Sequence, residues 1–366
     1  MPESRNRFVS ISARPSGAWV PGGFVQIGID SFAAVVSDPV TGVTLSAEDR
    51  LANLLEEIEA ADRAGVDVFG IGEHHRREYL DSAPTLILAA AAARTERIRL
   101  TSAVTVLSAD DPVRVFQDFA TLDLLSRGRA EMVVGRGSSI EAYPLFGHDL
   151  SDYDSLFAEK LELLLQIRQE THVTWSGRHR PALSGQGVYP RPIQDPLPVW
   201  LGVGGTPQSF ARAGQLGLPL MVAIIGGTFE RFRPLVDLYR EAYRESGHAP
   251  EGEGVGVHAF GFVADTDDQA VEQTWPGYLR LMSTIGAERG WTPPTKAQYQ
   301  AACGPGGAYL IGGVDAVVAK AHHVDQALGG VDRLTFQMTN VLLAHDAMLH
   351  GIELLGTEVA PRLRAG

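Results

Sequence analysis

Short β-rich runs alternate with longer amphipathic runs along most of this chain, and this alternation limits the folds that it can adopt. The run "FVQIGIDSF" predicts a first strand, and residues 47–64 place their leucines and Ile58 on one face of a helix. Ser46 is a suitable N-cap for this helix, and Gly65 is a suitable C-terminal stop. The run "VDVFGI" then predicts a second strand.

Continued along the chain, the pattern predicts about eight strands and about eight helices, the number that closes a TIM barrel. Strands that alternate with helices form right-handed βαβ units around a parallel sheet. We therefore predict an α/β fold, the (β/α)₈ TIM barrel, with an open doubly wound sheet as the alternative. The barrel domain is expected at residues 24–366, after an N-terminal arm at residues 1–23.

Two segments interrupt the alternation. Residues 171–196 predict a small hairpin or an ordered loop. Residues 266–312, which contain "WTPPTKAQ" and "CGPGG", are too long for a simple connection and are predicted to form a lid-like insertion.

Composition excludes several classes of protein. The formal net charge of −13 argues against a nucleic-acid or anionic-membrane partner, which would require a basic patch. The single cysteine, Cys303, excludes an intrachain disulfide and a CxxC metal site. The sequence has no apolar run long enough for a transmembrane helix, and its N-terminus lacks the apolar core of a signal peptide. We therefore expect a cytoplasmic protein.

The stretch "GIGEHH", residues 70–75, places Glu73, His74 and His75 where a buried strand should end. They could be zinc ligands, a general base with its orienting partner, or a solvated turn. Adjacent histidines on an extended segment point to opposite sides and cannot easily share one ion, and the sequence contains neither HExxH nor HxH. We predict no metal. In a barrel, these side chains would lie on the active-site face.

Two further loops follow predicted strands. In "GVGGTPQS", residues 202–209, glycines and a helix start would let backbone N–H groups approach an anion, and Thr206 and Ser209 add hydroxyl donors. In "GRGSS", residues 135–139, Arg136 suits bidentate contact with a phosphate. Either loop alone could be an ordinary turn, but together they indicate a phosphorylated cofactor or substrate.

Several stretches occur in the order typical of one family: "GIGEHH", "SAVTVLSADDPVR", "LDLLSRGRAEMVVGRGS", "PLFGHDL", "PRPIQDPLPVWLGVGGTPQS" and "AGQLGLPL". Over about residues 24–355 the chain resembles the bacterial luciferase-like flavin-dependent monooxygenases. The resemblance implies a barrel that binds FMN at its C-terminal mouth. It implies a non-prolyl cis peptide at Ala103–Val104 beneath the flavin ring. It further implies these residues at the flavin phosphate: Arg136, Gly204, Gly205, Thr206 and Ser209.

The resemblance also implies a reaction. Reduced FMN, as co-substrate, reacts with O₂ to a C4a-hydroperoxide, which oxygenates a small organic substrate. His74 matches the catalytic histidine and would bond or deprotonate at the flavin–oxygen centre, while Glu73 or His75 could orient it. The lid-like segment would close over the intermediate. A separate NAD(P)H:flavin reductase is expected, because the sequence contains no dinucleotide fingerprint.

Three alternatives stay open: a coenzyme F420-dependent oxidoreductase on the same barrel, a non-catalytic flavin-binding subunit, and a phosphosugar-type barrel enzyme without flavin. The last should carry a strand-borne lysine or an acid pair, and no lysine lies in a predicted barrel strand. Gly135 replaces the cysteine of luciferase proper, which argues against light emission. The helix with "DYDSLFAEK" lacks a further arginine, which predicts fewer phosphate contacts. Members of the family often dimerise through the region of the alanine-rich helix at residues 83–94, so the resemblance implies a homodimer. Alternatively, the alanines simply pack against the barrel.

Overall fold

The computed structural model describes residues 25–38, 40–137 and 140–365 of the chain. The arm predicted at residues 1–23 lies outside the described residues, as do the two serines of the "GRGSS" loop. The strands are β1 Gln26–Ser31, β2 Val68–Ile71, β3 Arg99–Ser102, β4 Thr105–Val106, β5 Met132–Gly135, β6 His172–Trp175, β7 Leu183–Gly187, β8 Val199–Val203, β9 Leu220–Ala223, β10 Val255–Ala264, β11 Leu310–Gly313 and β12 Arg333–Gln337.

The α-helices are α1 Ala47–Ala64, α2 Pro84–Ala92, α3 Pro112–Ser126, α4 Ala142–Leu145, α5 Tyr153–Gln169, α6 Pro207–Gln215, α7 Arg233–Glu245, α8 Asp267–Arg289, α9 Lys296–Cys303, α10 Val314–Leu328, α11 His345–Leu354 and α12 Ala360–Arg364. Short 3₁₀ turns occur at Leu150–Asp152, Phe229–Phe232 and Pro250–Gly252, and a π-helical turn, Leu355–Val359, joins α11 to α12. Among the described residues, the structure contains no helix long and apolar enough to cross a membrane.

The main sheet is a closed ring of parallel strands, in the order β3–β2–β1–β12–β10–β9–β8–β5–β4. Strands β3 and β4 are two halves of one barrel strand. The first half pairs with β2 and the second with β5, and a parallel bridge between Leu100 and Ala130 completes the ring. Eight barrel strands with helices between them confirm the predicted (β/α)₈ barrel and exclude the open sheet.

Local signals in the sequence account for the helix ends. At the start of α1, the Ser46 side chain accepts a hydrogen bond from the backbone N–H of Asp49, at 3.0 Å. The helix ends at Gly65, whose φ of 87° lies in the left-handed region. Helix α3 begins at Pro112, behind an Asp111 side chain that accepts from the backbone of the first turn. The predicted boundaries of α1 are correct.

Both interrupting segments are ordered. Within residues 171–196, strands β6 and β7 form an antiparallel hairpin. The segment 266–312 contains α8, which is 23 residues long with Pro276 inside it, followed by α9 and β11. Strand β11 pairs with the second half of β10, at Gly261–Ala264, beyond the part of β10 that belongs to the barrel. The sequence pattern did not predict this long helix or the extra strand.

A buried ion-pair cluster fills the amino-terminal end of the barrel. Glu131 accepts a hydrogen bond from Arg99 Nε at 2.9 Å and pairs with Arg333, whose guanidinium lies 4.3 Å from the centre of the Trp200 ring. Burial of Glu131 acts to raise its pKa, but the two arginines outweigh burial and lower the pKa to about 2. The cluster closes this end of the barrel, so open space is left only towards the other end.

Glycines on the inner side of the barrel strands create that space. A Cβ on Gly70 would collide with the Asp30 carboxylate, and one on Gly135 or Gly202 would collide with Val104. Larger side chains at these positions would fill the barrel, as branched residues do in an ordinary TIM-barrel core. The sequence thus builds a hollow rather than a packed upper layer.

Candidate active site

A cavity of about 420 Å³ opens at the carboxyl ends of the barrel strands. It is lined by groups that the sequence analysis predicted from separate strands, namely His74, Arg136, Thr206 and the Ala103–Val104 peptide. The structure therefore brings the predicted catalytic and phosphate-binding regions together around one space. This volume is within the range of small-molecule pockets.

The His74 ring follows β2 and is held on several sides. Its Nδ1 atom lies 2.9 Å from Oδ2 of Asp81, which is fully buried. Phe32 and Tyr79 contact the ring, with centroid distances of 4.6 and 4.5 Å. Burial raises the pKa of Asp81, and the hydrogen bond from His74 opposes that rise. With Nδ1 engaged, Nε2 is the ring nitrogen available to a ligand.

Glu73 and His75 pair with each other instead of orienting His74, which corrects the expectation from the sequence. His75 Nε2 lies 3.1 Å from Glu73 Oε1, and Glu73 Oε2 accepts the Val106 N–H at 2.7 Å. The physical reason is the two-residue period of extended backbone, which turns residues 73 and 75 to one side and His74 to the other. The hydrogen bond that His75 donates to Glu73 raises the pKa of His75.

Asp81 is the orienting group that sequence reasoning missed. It lies seven positions beyond His74, in the irregular segment before α2, so neither helical nor strand periodicity links the two residues. The only available signal was a carboxylate close after a histidine pair, which is weak by itself.

The Ala103–Val104 peptide bond is cis, as the family resemblance implied. It lies between β3 and β4, and both residues line the cavity. The Val104 side chain occupies the space left by Gly135 and Gly202 on the two neighbouring strands. Glu73, which follows β2, accepts a hydrogen bond from the backbone N–H of Val106, two residues beyond Val104. Glu73 therefore also holds this segment in place.

The start of α6 presents an open polar turn. Thr206 precedes Pro207 at the N-terminus of α6, and its side chain makes no capping hydrogen bond. A Cβ on Gly204 or Gly205 would meet no atom within 4 Å, so the backbone there is accessible. Free N–H groups and the positive end of the helix dipole make such a turn suitable for an anion.

Arg136 reaches the same turn from the end of β5. It donates to Asp154 Oδ1 at 2.6 Å and to Ser209 Oγ at 3.2 Å, and its guanidinium lies 5.1 Å from the centre of the Tyr153 ring. Ser209 does not line the cavity itself and contributes through Arg136. A guanidinium, a hydroxyl and a helix N-terminus are together the donors that a phosphate monoester requires.

The cavity wall also contains groups that the sequence analysis did not identify. Asp30 on β1 and His258 on β10 lie 2.6 Å apart, between Oδ2 and Nδ1, and both line the cavity. Gln337 on β12 also lines it. The available signal in the sequence was a carboxylate in one otherwise apolar strand and a histidine in another.

Helix α8 and the residues after it form the roof of the cavity. Leu281, Ile285 and Trp291 line the cavity from this side. Arg76 directly follows the histidine pair. Its guanidinium donates a hydrogen bond to the Glu288 carboxylate of α8 at 2.8 Å and also forms an ion pair with Glu141. The segment 266–312 therefore covers the mouth, and an ion pair fixes it to the active-site loop.

No group of three or more histidine, cysteine, aspartate or glutamate side chains among residues 25–38, 40–137 and 140–365 could hold a metal ion. The fold and this cavity are those of a (β/α)₈ barrel enzyme.

The sequence pattern of the luciferase-like monooxygenase family matches residues 31–325. The chain therefore belongs to this family and is a flavin-dependent oxidoreductase. Its relative 4-hydroxyprotoasukamycin monooxygenase, from Streptomyces nodosus subsp. asukaensis, is 30% identical over 329 residues, which cover 84% of this chain and 85% of the relative.

Two solved structures have the same fold. The oxygenating constituent of 3,6-diketocamphane monooxygenase from the CAM plasmid of Pseudomonas putida, a type II Baeyer–Villiger monooxygenase in complex with FMN, superposes with a TM-score of 0.73, at 20% identity over 93% of this chain and 99% of that chain. An F420-dependent secondary alcohol dehydrogenase in complex with an F420–acetone adduct gives 0.71, at 18% identity over the same shares.

Proposed function

We propose that this enzyme is an FMN-dependent monooxygenase that uses reduced flavin and O₂ to oxygenate a small organic substrate. One observation carries the proposal: the His74–Asp81 pair and the anion-binding turn at Thr206 open into the same cavity. The sequence relative described above is a monooxygenase, and one of the two similar structures contains FMN.

The residues present fit FMN. The turn at Gly204 and Gly205 is open, and Arg136 and Ser209 stand beside the α6 N-terminus, so these groups would hold the phosphate. The Ala103–Val104 segment lines the same cavity and would contact the ring. When bound, the reduced flavin would supply the electrons that activate O₂.

The protein's own groups have distinct tasks in this proposal. His74 holds or moves a proton at Nε2, because Asp81 engages Nδ1 and fixes the ring. Glu73 and His75 support the cavity wall at Val106. The apolar side chains of α8 exclude water from the cavity, which protects a reactive oxygen species from side reactions.

An equilibrium titration tests the cofactor. The full chain is titrated with FMN, riboflavin and F420, and flavin fluorescence or absorbance is followed. Arg136→Met should weaken FMN binding roughly 10- to 100-fold, because it removes a charge-assisted hydrogen bond to phosphate. It should leave riboflavin binding nearly unchanged, because riboflavin has no phosphate.

Arg178→Met is the matched control, since Arg178 makes a similar 2.9 Å ion pair with Asp152 on the exposed surface. Its FMN affinity should equal that of the wild type. Saturable binding of F420 without binding of FMN would overturn the monooxygenase proposal in favour of an F420-dependent oxidoreductase.

We also propose two assemblies. A separate NAD(P)H:flavin reductase would supply reduced FMN, which a coupled assay with a purified reductase would test. A homodimer would form through α2 and α3, which pack together and expose Leu86 and Leu125. Sedimentation should then give twice the chain mass. The cytoplasmic location stays a prediction from the sequence.

A further inference from the structure

The Asp30–His258 pair lines the same cavity as His74, and the Phe32 ring lies near both histidines. Both residues are buried, with 3% and 8% of their surfaces exposed. Asp30 Oδ2 accepts from His258 Nδ1 at 2.6 Å, and the Phe32 ring stacks parallel to the imidazole at 6.0 Å. A carboxylate fixed on Nδ1 selects the tautomer and leaves the Nε2 lone pair for another partner.

The structure gives His258 Nε2 no hydrogen-bond partner among the residues it describes. Gln337, which is the register partner of Asp30 on the adjacent strand, is 3% exposed, and neither its amide oxygen nor its nitrogen has a partner there. Buried polar groups are normally hydrogen-bonded, so an imidazole nitrogen without a protein partner on the cavity wall indicates a ligand. A second cavity of about 20 Å³ beside Gln337 has room for one water, which would serve one side of the amide.

The other charged groups that line this cavity already have protein partners. Each of them is engaged by an ion pair, a hydrogen bond or a ring contact: His74, Glu73, Arg76, Arg136, Arg289 and Arg333. A neutral hydroxyl group near Asp30 would find a proton acceptor at His258 Nε2, the ring nitrogen that Asp30 does not engage.

We propose that Asp30 and His258 form a subsite for the hydroxyl group of an uncharged hydroxyaromatic substrate. The substrate O–H donates to His258 Nε2. Phe32 and Phe260 line the same space and provide apolar contact for the ring. The proposal deepens the proposed function, because it names the substrate class of the same cavity.

The subsite also allows one proton transfer. The substrate O–H bond breaks, an N–H bond forms at His258 Nε2, and the electron pair stays on the substrate oxygen as a phenolate. The Asp30 carboxylate stabilises the imidazolium that results. A phenol can give up this proton far more readily than an aliphatic alcohol, because its pKa is near that of tyrosine, about 10. The transfer enriches the ring in electrons and so prepares it for oxygenation.

The test uses 4-nitrophenol, because its phenolate absorbs visible light and its phenol does not. The full chain is mixed with 4-nitrophenol below the pH at which the free compound ionises, with and without saturating FMN. Wild type should bind it with the phenolate spectrum. His258→Gln should lose that spectrum and bind roughly tenfold more weakly, as expected for one lost hydrogen bond. His74→Gln should keep the spectrum.

His350→Gln is the matched control, because His350 makes a 2.9 Å pair with Asp265 on the exposed surface. Asp30→Asn provides a second variant if His258→Gln does not fold, and it should lower the phenolate fraction. An unshifted wild-type spectrum, an equal shift in His258→Gln, or displacement of 4-nitrophenol by FMN would overturn the assignment. Since the assay needs neither reduced flavin nor O₂, its failure is distinguishable from failure of the monooxygenase proposal.

Discussion

His74 is the residue on which the proposed chemistry depends, and its surroundings explain why it can act. Asp81 fixes one ring nitrogen, while Phe32 and Tyr79 restrict rotation of the ring. A base that is already oriented loses little entropy when a substrate arrives, which is a large part of the advantage of an enzyme site.

Replacement of His74 by alanine should slow the oxidation of protein-bound reduced FMN by O₂ roughly 100-fold or more, the usual contribution of a positioned acid or base. Asp81→Asn should act in the same direction but less strongly, because the ring remains while its orientation is weakened. Stopped-flow absorbance of the flavin measures both rates.

The control for these variants is FMN affinity, which should stay close to the wild-type value, since neither side chain contacts the proposed phosphate turn. Wild-type rates in His74→Ala would refute the catalytic role of His74.

Sequence reasoning at the scale of residues correctly predicted that several loops meet around one cavity. The loops that contain His74, Arg136 and Thr206 each follow a strand, and their residue types point to their chemistry. It failed for Asp81, which lies in an irregular segment seven residues after His74. It also failed for Asp30 and His258, which are 228 positions apart and meet only because the barrel closes. The orientation of Glu73 was also missed, although strand alternation contained the reason.

At the scale of elements, the helices and strands of the barrel were predicted well because capping residues and hydrophobic periodicity indicate the same boundaries. Helix α8 was not predicted, because Pro276 and Gly277 stand inside it and its apolar residues do not follow one clear stripe. Tertiary contacts stabilise it instead, including the packing of Tyr278 against Tyr299 and the hydrogen bond between Tyr278 and Tyr309.

The ion pair between Arg76 and Glu288 is expected to hold the C-terminal end of α8 over the cavity. The hydrogen bond from Arg76 lowers the pKa of Glu288, so the pair is ionised at neutral pH. Glu288→Gln should let the last turns of α8 open more often, so that their amide hydrogens exchange several-fold faster in hydrogen–deuterium exchange.

Glu272→Gln is a comparison within the same helix, because Glu272 bonds to Lys296 at the other end of α8. It should leave exchange near Arg289 at the wild-type rate. Equal protection of the C-terminal turns in wild type and Glu288→Gln would show that the ion pair does not hold the roof.

At the scale of the whole molecule, the sequence predicted the closed barrel but not the ion cluster that seals its amino-terminal end. Arg99 and Arg333 begin β3 and β12, and Glu131 directly precedes β5. In the sequence, each looks like an ordinary charged residue beside a strand. Only closure of the ring buries them against each other, with Glu131 at 2% exposure.

Glu131→Gln should lower the free energy of unfolding by roughly 3–5 kcal/mol at neutral pH, because it leaves two buried arginines without their carboxylate. The folded-state pKa of Glu131 lies at about 2, below its ordinary 4.5. The ionised pair therefore stabilises the wild type fully above pH 4.5, and this stabilisation is lost as the pH falls towards 2.

Urea denaturation at several pH values measures the free energy of unfolding. The difference in this free energy between wild type and Glu131→Gln should become smaller below pH 4.5. Glu272 is exposed, so the difference in free energy of unfolding between wild type and Glu272→Gln should not change with pH. A gap that is constant with pH would argue against an ionised Glu131.

Strand β10 determines how this enzyme can diversify. The chain leaves it at Ala264, builds the whole roof, and returns beside it as β11, so the roof begins and ends at one place on the barrel. The segment between these two points can become longer or shorter, or be replaced as a unit, while the eight-strand ring keeps its register. Selectivity for the organic substrate can therefore drift in evolution independently of the machinery beneath it.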